Sequence, residues 1–229
     1  MSIQQTQHTL CNTKGANRNS LIHTIGDSHC ATGWTDGVCK PGQKHEPADG
    51  IIWHYLGPVL CYSFGKEKLQ RCDIRNFNIK DGETVVFSFG EIDCRCHIHK
   101  HIDTKHTYQD IINYIVDNYF EAIKLNVSIS QIKLKNICVY NVIPPVQKCD
   151  VTENPQYPFL GTDEERKKYI LYFNAKLKEK CIENNYIFFD IYNHYINENG
   201  FLRRDLRLEN DIHILNGIYI GNFIKENNL

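Results

Sequence analysis

Short apolar runs alternate with amphipathic stretches along this chain, and each run stops abruptly at polar or turn-forming residues. Leu21–Gly26 is β-branched and apolar, then breaks into Asp27-Ser28-His29. Ile51–Leu56 ends at Gly57-Pro58, Thr84–Phe89 at Gly90-Glu91-Ile92-Asp93, and Asn136–Val142 at Ile143-Pro144-Pro145, while Tyr186–Ile191 forms a fifth run. Continuous apolar runs of this length, bounded by turn residues, read as buried strands. Helical patterns lie between them. Pro58 suits the first turn of a helix through Tyr62. From Thr107 onward, Ile112, Ile115, Val116, Tyr119 and Ile123 recur at the 3.6-residue spacing of one helix face. Thr162-Asp163-Glu164-Glu165 is a capping box ahead of a helix that turns Ile170, Phe173, Leu177 and Cys181 inward. A last helix starts near Gly217. Strands alternating with helices predict an α/β protein, a three-layer α/β/α sandwich with a central, mostly parallel five-stranded sheet.

Three segments lack this periodicity. Residues 1–20 are polar and read as an N-terminal arm, leaving residues 21–229 as a single domain. His29–Gly50 is rich in Gly, Lys, Asp and Pro and reads as a long loop, as does the proline-rich stretch up to Gly161; loops of such length tend to be functional or mobile.

Composition narrows the classes. The chain has 229 residues, of which 41% are hydrophobic, enough for a sizeable core. A formal net charge of −1 and a pI near 6.8 supply no electrostatic footprint for nucleic acid or an anionic membrane, so neither is expected as a partner. The ten cysteines are scattered through predicted strands and helices, Cys138 and Cys181 among them, unlike a small disulfide scaffold. Free thiols, an opening segment without signal-peptide character and the lack of any run of membrane-spanning length predict a cytoplasmic protein. Oligomeric state is not readable.

The candidate chemistry gathers at strand ends. In open α/β sheets the carboxyl ends of strands collect ligands. Ser28, held there before a helix, is a candidate nucleophile close to backbone N–H groups. Cys94-Arg95-Cys96-His97-Ile98-His99-Lys100-His101 contains zinc-type ligands, but no second cluster matches it and alternate residues would fan outward. It reads as a substrate-facing loop, and no metal is expected. Within it Arg95 would pair with Asp93 or Glu91. Trp34, Trp53 and Tyr55 lie near the first two strand ends and serve either as sugar-stacking faces or as core.

With a serine early and an Asp211-Ile212-His213 cluster late, the chain resembles the SGNH (GDSL-type) hydrolase superfamily, in particular its Gly-Asp-Ser-His branch. The resemblance runs from Leu21 to about Ile220. It implies an esterase removing a small acyl group, such as acetyl, from a carbohydrate through an acyl-serine. The alternatives it leaves open are a carbohydrate O-acyltransferase using the same serine and a catalytically weak glycan-binding relative. Small-molecule or glycan esters are the implied substrates. No cofactor is implied, with an acyl donor such as acetyl-CoA entering only for a transferase. By position, the resemblance makes Ser28 the nucleophile and His213 the base, with the Ser28 and Gly57 N–H groups as oxyanion donors. Asp27, His29, Glu91, Asp93 and Arg95 are expected around the substrate, Asp27 chiefly shaping the turn.

Two positions depart from the family pattern. Its third block, Gly-x-Asn-Asp, reads here Gly90-Glu91-Ile92-Asp93, placing isoleucine in the slot of an oxyanion-donating amide. Arg95 or Asn141 would have to substitute. Its last block, Asp-x-x-His, would place the acid at Asn210. Asp211 is the expected acid, with Asn210 the fallback.

Overall fold

The structure, a computed structural model, describes residues 21–35 and 47–229. The predicted N-terminal arm and residues 36–46 of the predicted loop lie outside the described residues. Strands β1 (Ile22–Gly26), β2 (Ile51–Tyr55), β3 (Thr84–Ser88), β4 (Asn136–Tyr140) and β5 (Ile187–Phe189) form one five-stranded sheet in the order β2-β1-β3-β4-β5. Every pairing is parallel, with Ile22 opposite both Ile51 and Thr84. All five residues of β1 and of β3 are buried, as strands covered on both faces must be.

Side chains alternate between two cores. Ile25, Val85, Phe87 and Val139 point to one face, where they pack under α1 (Cys61–Glu67), α3 (Tyr108–Ser130) and α4 (Asp163–Asn184). Ile22, Val86, Cys138, Tyr140 and Phe189 point to the other, under Trp34, Ile214 and helix α5 (Ile218–Glu226). The capping boxes are in place: Thr107 starts α3 with Asp110, and Thr162 starts α4 with Glu165. The result is the three-layer α/β/α arrangement.

Connectivity positions the site. From β1 the chain moves outward to β2, then crosses back to β3 on the other side of β1. The carboxyl ends of β1 and β3 therefore flank the crevice where strand order reverses, the place where such sheets bind ligands. Gly26 ends β1 there because β3 is too close for any other residue: a Cβ would lie 1.8 Å from the Ser88 carbonyl oxygen.

Three expectations change. The helix expected from Pro58 begins at Cys61, Pro58 remaining in the turn before it. The strands expected to reach Phe89 and Val142 stop at Ser88 and Tyr140. Residues 94–101, expected as a loop, are helical: a π-helical turn over Asp93–His97 runs into α2 (Ile98–His101). The Cys/His alternation mimics a two-residue period, whereas buried Cys94 and Ile98 and the Glu91–Arg95 pair, each four apart, follow a helical one.

Candidate active site

Asp27 begins the site. Its carboxylate Oδ1 accepts the His29 N–H at 2.9 Å and caps the short 3-10 turn Ser28–Cys30. This turns Ser28 out of the end of β1 onto the floor of a cleft of about 510 Å³. Cys30, two residues on, is no rival nucleophile: it is buried, and burial pushes its thiol well above the ordinary range.

The opposite wall comes from the C-terminal region. Leu215 N–H donates to Leu206 O at 2.9 Å and Leu208 N–H to His213 O at 2.9 Å, closing a narrow turn. Asn210 takes a left-handed conformation (φ 55°) at its tip, which asparagine tolerates well. The turn brings His213 Nε2 to 2.7 Å from Ser28 Oγ across 185 residues of sequence. On the other side of the ring, Nδ1 stands 2.7 Å from Asp211 Oδ1. Burial pushes Asp211 up, but the His213 hydrogen bond and charge and the Ile212 N–H at 2.5 Å outweigh it, leaving the carboxyl below its ordinary value. Being ionised, it can only accept. The proton therefore sits on Nδ1, and Nε2 accepts from the Ser28 hydroxyl.

Asn210, the fallback acid, does not occupy that position. Among the described residues no hydrogen bond joins its side chain to His213; its carbonyl accepts the Thr152 N–H at 3.2 Å. Gly57, at φ +88°, lies in the turn after β2 in a conformation open to glycine. Among the described residues neither the Ser28 nor the Gly57 N–H has a hydrogen-bond acceptor, so both remain free to donate.

Of the residues expected around the substrate, Arg95 alone lines the cleft. Each of its three nitrogens makes a hydrogen bond: Nε donates to Glu91 at 2.9 Å, Nη2 to Glu91 at 3.1 Å and Nη1 to the Tyr157 carbonyl at 2.7 Å. Glu91 is turned to this pair and away from the cleft. Asp93 lies beneath the floor with 0% exposure, its carboxylate accepting the Cys61 N–H at 2.6 Å and the Tyr62 N–H at 3.1 Å. Asp27 is buried under the turn, in keeping with its shaping role. His29 is buried behind His213, ring centroids 4.9 Å apart. Burial pulls the His29 imidazole down, but the hydrogen bond and charge of Asp27, with Glu91 adding, leave it above its ordinary value.

Ile92 does face the cleft, in the slot where the resemblance expects an amide. Asn141 does not line the cleft: it is buried, its Nδ2 donating to Val142 O and its Oδ1 accepting from Ile191 N–H. Of the aromatic residues, Trp34 is core and donates Nε1–H to His29 O. Trp53 packs against the same core, whereas Tyr55 is 46% exposed and lines the cleft. Among the described residues no three His, Cys, Asp or Glu side chains converge as a metal site requires.

Sequence reasoning missed the roof. Thr152, Asn154, Gln156, Tyr157 and Phe159 all line the cleft from the proline-rich loop. The signal was present in a long loop carrying aromatic and amide side chains together.

No family model matches the chain, and no curated protein matches it significantly. Solved structures do. A Bacteroides fragilis protein assigned as an acylhydrolase superposes with a TM-score of 0.58 at 16% identity, over 93% of this chain and 88% of that one. A GDSL-like lipase from Bacteroides thetaiotaomicron gives 0.56 at 14% identity, over 91% and 87%. A catalytic mutant of an acetylxylan esterase from Geobacillus stearothermophilus gives 0.50 at 14% identity, over 91% and 94%. No described helix is long and apolar enough to cross a membrane. With β1 ending in Gly-Asp-Ser-His and the chain's own serine, histidine and aspartate converging at that strand end, this protein has the fold of the SGNH, or GDSL-type, hydrolases.

Proposed function

We propose that this protein is a serine esterase that removes a small acyl group, acetyl in the first instance, from a carbohydrate hydroxyl. The single observation behind it is the unbroken chain Ser28 Oγ, His213 Nε2, His213 Nδ1, Asp211 Oδ1, with 2.7 Å at both links, at the base of an open cleft.

The serine hydroxyl is a poor nucleophile until a hydrogen-bonded imidazole takes its proton. In the first half-reaction Ser28 Oγ bonds to the acyl carbon while its proton passes to His213 Nε2. The carbonyl oxygen becomes an oxyanion, held by the Ser28 and Gly57 N–H groups. Collapse breaks the bond to the alcohol oxygen, which takes the proton from His213. In the second half-reaction water adds to acyl-Ser28 with the same base and leaves the free acid. Asp211 keeps the imidazole in the working tautomer and balances its charge while protonated.

The cleft lining supports a neutral, hydroxyl-rich substrate. Asn154, Gln156, Asn210 and Thr152 offer amide and hydroxyl groups, and Tyr55 and Tyr157 offer ring faces. Arg95, already paired with Glu91, adds no free charge for an anion. An acetylxylan esterase with the same fold is in keeping with that substrate class.

The test is covalent trapping. Incubation with an aryl phosphonate should add one phosphonyl group, located on Ser28 by peptide mass spectrometry, and Ser28→Ala should abolish both the adduct and aryl-acetate hydrolysis. Glycan binding without any adduct would leave a binding protein in its place. Faster transfer to a sugar than to water would make the chain a transferase.

A further inference from the structure

The acid and base both sit on the narrow turn between Leu208 and His213, and a turn of that kind does not hold its shape by itself. What fixes it lies outside its own ladder. Arg207 is buried at the foot of the turn, its side chain 5% exposed. Its Nη1 donates to the Asp211 carbonyl at 2.9 Å and to the Asp150 carbonyl at 3.3 Å, while Nη2 donates to the Asp150 carboxylate at 3.0 Å. Asp150 belongs to the loop that roofs the cleft, and two residues on, Thr152 N–H donates to the Asn210 carbonyl. The guanidinium thus ties the backbone of the acid to the roof.

Spacing explains the need. The acid lies two residues before the histidine here, where the resemblance expects three. Asp211 must then bend its side chain back over one intervening residue while its carbonyl points away. Arg207 is the donor that holds the carbonyl in that direction, and its planar fork reaches the carbonyl and the Asp150 carboxylate together. Arg204, 75% exposed, pairs with Asp150 from the solvent side, and its hydrogen bond holds that carboxyl below its ordinary range, so Arg207 is matched by a full negative charge.

We infer that Arg207, braced by Asp150, is a positioning residue that holds Asp211 on His213 and couples the roof of the cleft to the base. This rests on the esterase reading for its effect on rate, but the geometry itself has a readout that needs no turnover. An imidazole Nδ1–H bound to a carboxylate gives a low-field proton line. The wild-type protein should show that line for His213, and His213→Gln should remove it.

In Arg207→Ala the line should broaden or vanish and kcat should fall by about 10²-fold, the scale for an ångström-size misplacement, with KM changed less than threefold. Millimolar guanidinium should restore both in Arg207→Ala and do nothing to wild type, which a merely structural loss would not allow. Arg207→Lys and Asp150→Asn, milder changes in the same contact, should show partial loss if Arg207→Ala fails to fold. Arg203→Ala, which removes a surface pair with Asp205, should behave as wild type. The inference is overturned if a folded Arg207 variant keeps the line and the rate, if guanidinium restores neither, or if wild type lacks the line. A wild-type protein that shows the line but hydrolyses no ester overturns the esterase reading and leaves the brace standing.

Discussion

Asp93 is the residue whose removal has the most calculable effect. Helix α1 starts without a cap of its own: Leu60, at the N-cap position, makes no side-chain hydrogen bond. Asp93, from the far side of β3, satisfies the first two helical N–H groups, those of Cys61 and Tyr62. Asp93→Ala leaves both unpaired, the Cys61 N–H buried at about 1–3 kcal/mol and the half-buried Tyr62 N–H costing less, so we expect a loss of about 2–4 kcal/mol. For a chain of this size each kcal/mol lowers the melting temperature by about 2–4 °C.

The loss should depend on pH in a defined sense. Burial pushes the Asp93 carboxyl up to about 7, the Tyr62 and Cys61 N–H groups opposing it only in part. A carboxyl raised above its unfolded value contributes stability that is fully present below about pH 4 and is lost as pH rises through about 7. The gap between wild type and Asp93→Ala should therefore be widest near pH 4 and narrow toward pH 8, by at most about 1.4 kcal/mol per pH unit. Asp93→Asn keeps an acceptor and cannot ionise, so it should match or exceed wild type at pH 8. Urea unfolding followed by circular dichroism at pH 4, 6 and 8 measures all three proteins. A gap under about 1 kcal/mol at every pH, or one that widens as pH rises, would refute the capping argument.

Two further substitutions probe the chemistry. In Asp211→Asn the amide can donate to the imidazole and favour the wrong tautomer, so kcat on an aryl acetate should fall by about 10⁴-fold with the fold intact, and a loss under tenfold would make Asp211 a bystander. Ile92→Asn restores an amide to the cleft beside Ser28 and should raise kcat by about 10²–10³-fold, the worth of one oxyanion donor; steady-state kinetics showing no gain in a folded variant would mean position 92 does not face the oxyanion.

What was legible in the sequence followed from local rules. Strands buried on both faces leave continuous apolar runs, and the polar residues that follow such a run mark the strand's carboxyl end, which made Ser28 visible. The Thr107 and Thr162 boxes announced α3 and α4, because capping is chemistry among residues three apart. The misread elements depended on distant partners. Asp93 looked like a substrate ligand because nothing in its own segment reveals an uncapped helix 32 positions earlier. The helical turn at 93–97 was hidden by polar residues alternating on a segment whose buried face is set by packing against α4. The choice between Asn210 and Asp211 turned on one left-handed residue, and the Arg207–Asp150 contact joins positions 57 apart.

The long chain separation of Ser28 and His213 also orders events during synthesis. Ser28 is polymerised 185 residues before His213. At translation rates of about 5–20 residues per second, roughly 10–40 s pass between them. On the esterase reading proposed above, the nascent polypeptide carries its hydroxyl through that interval with no base to activate it, so a ribosome-bound product is silent and competence arrives once the final turn docks.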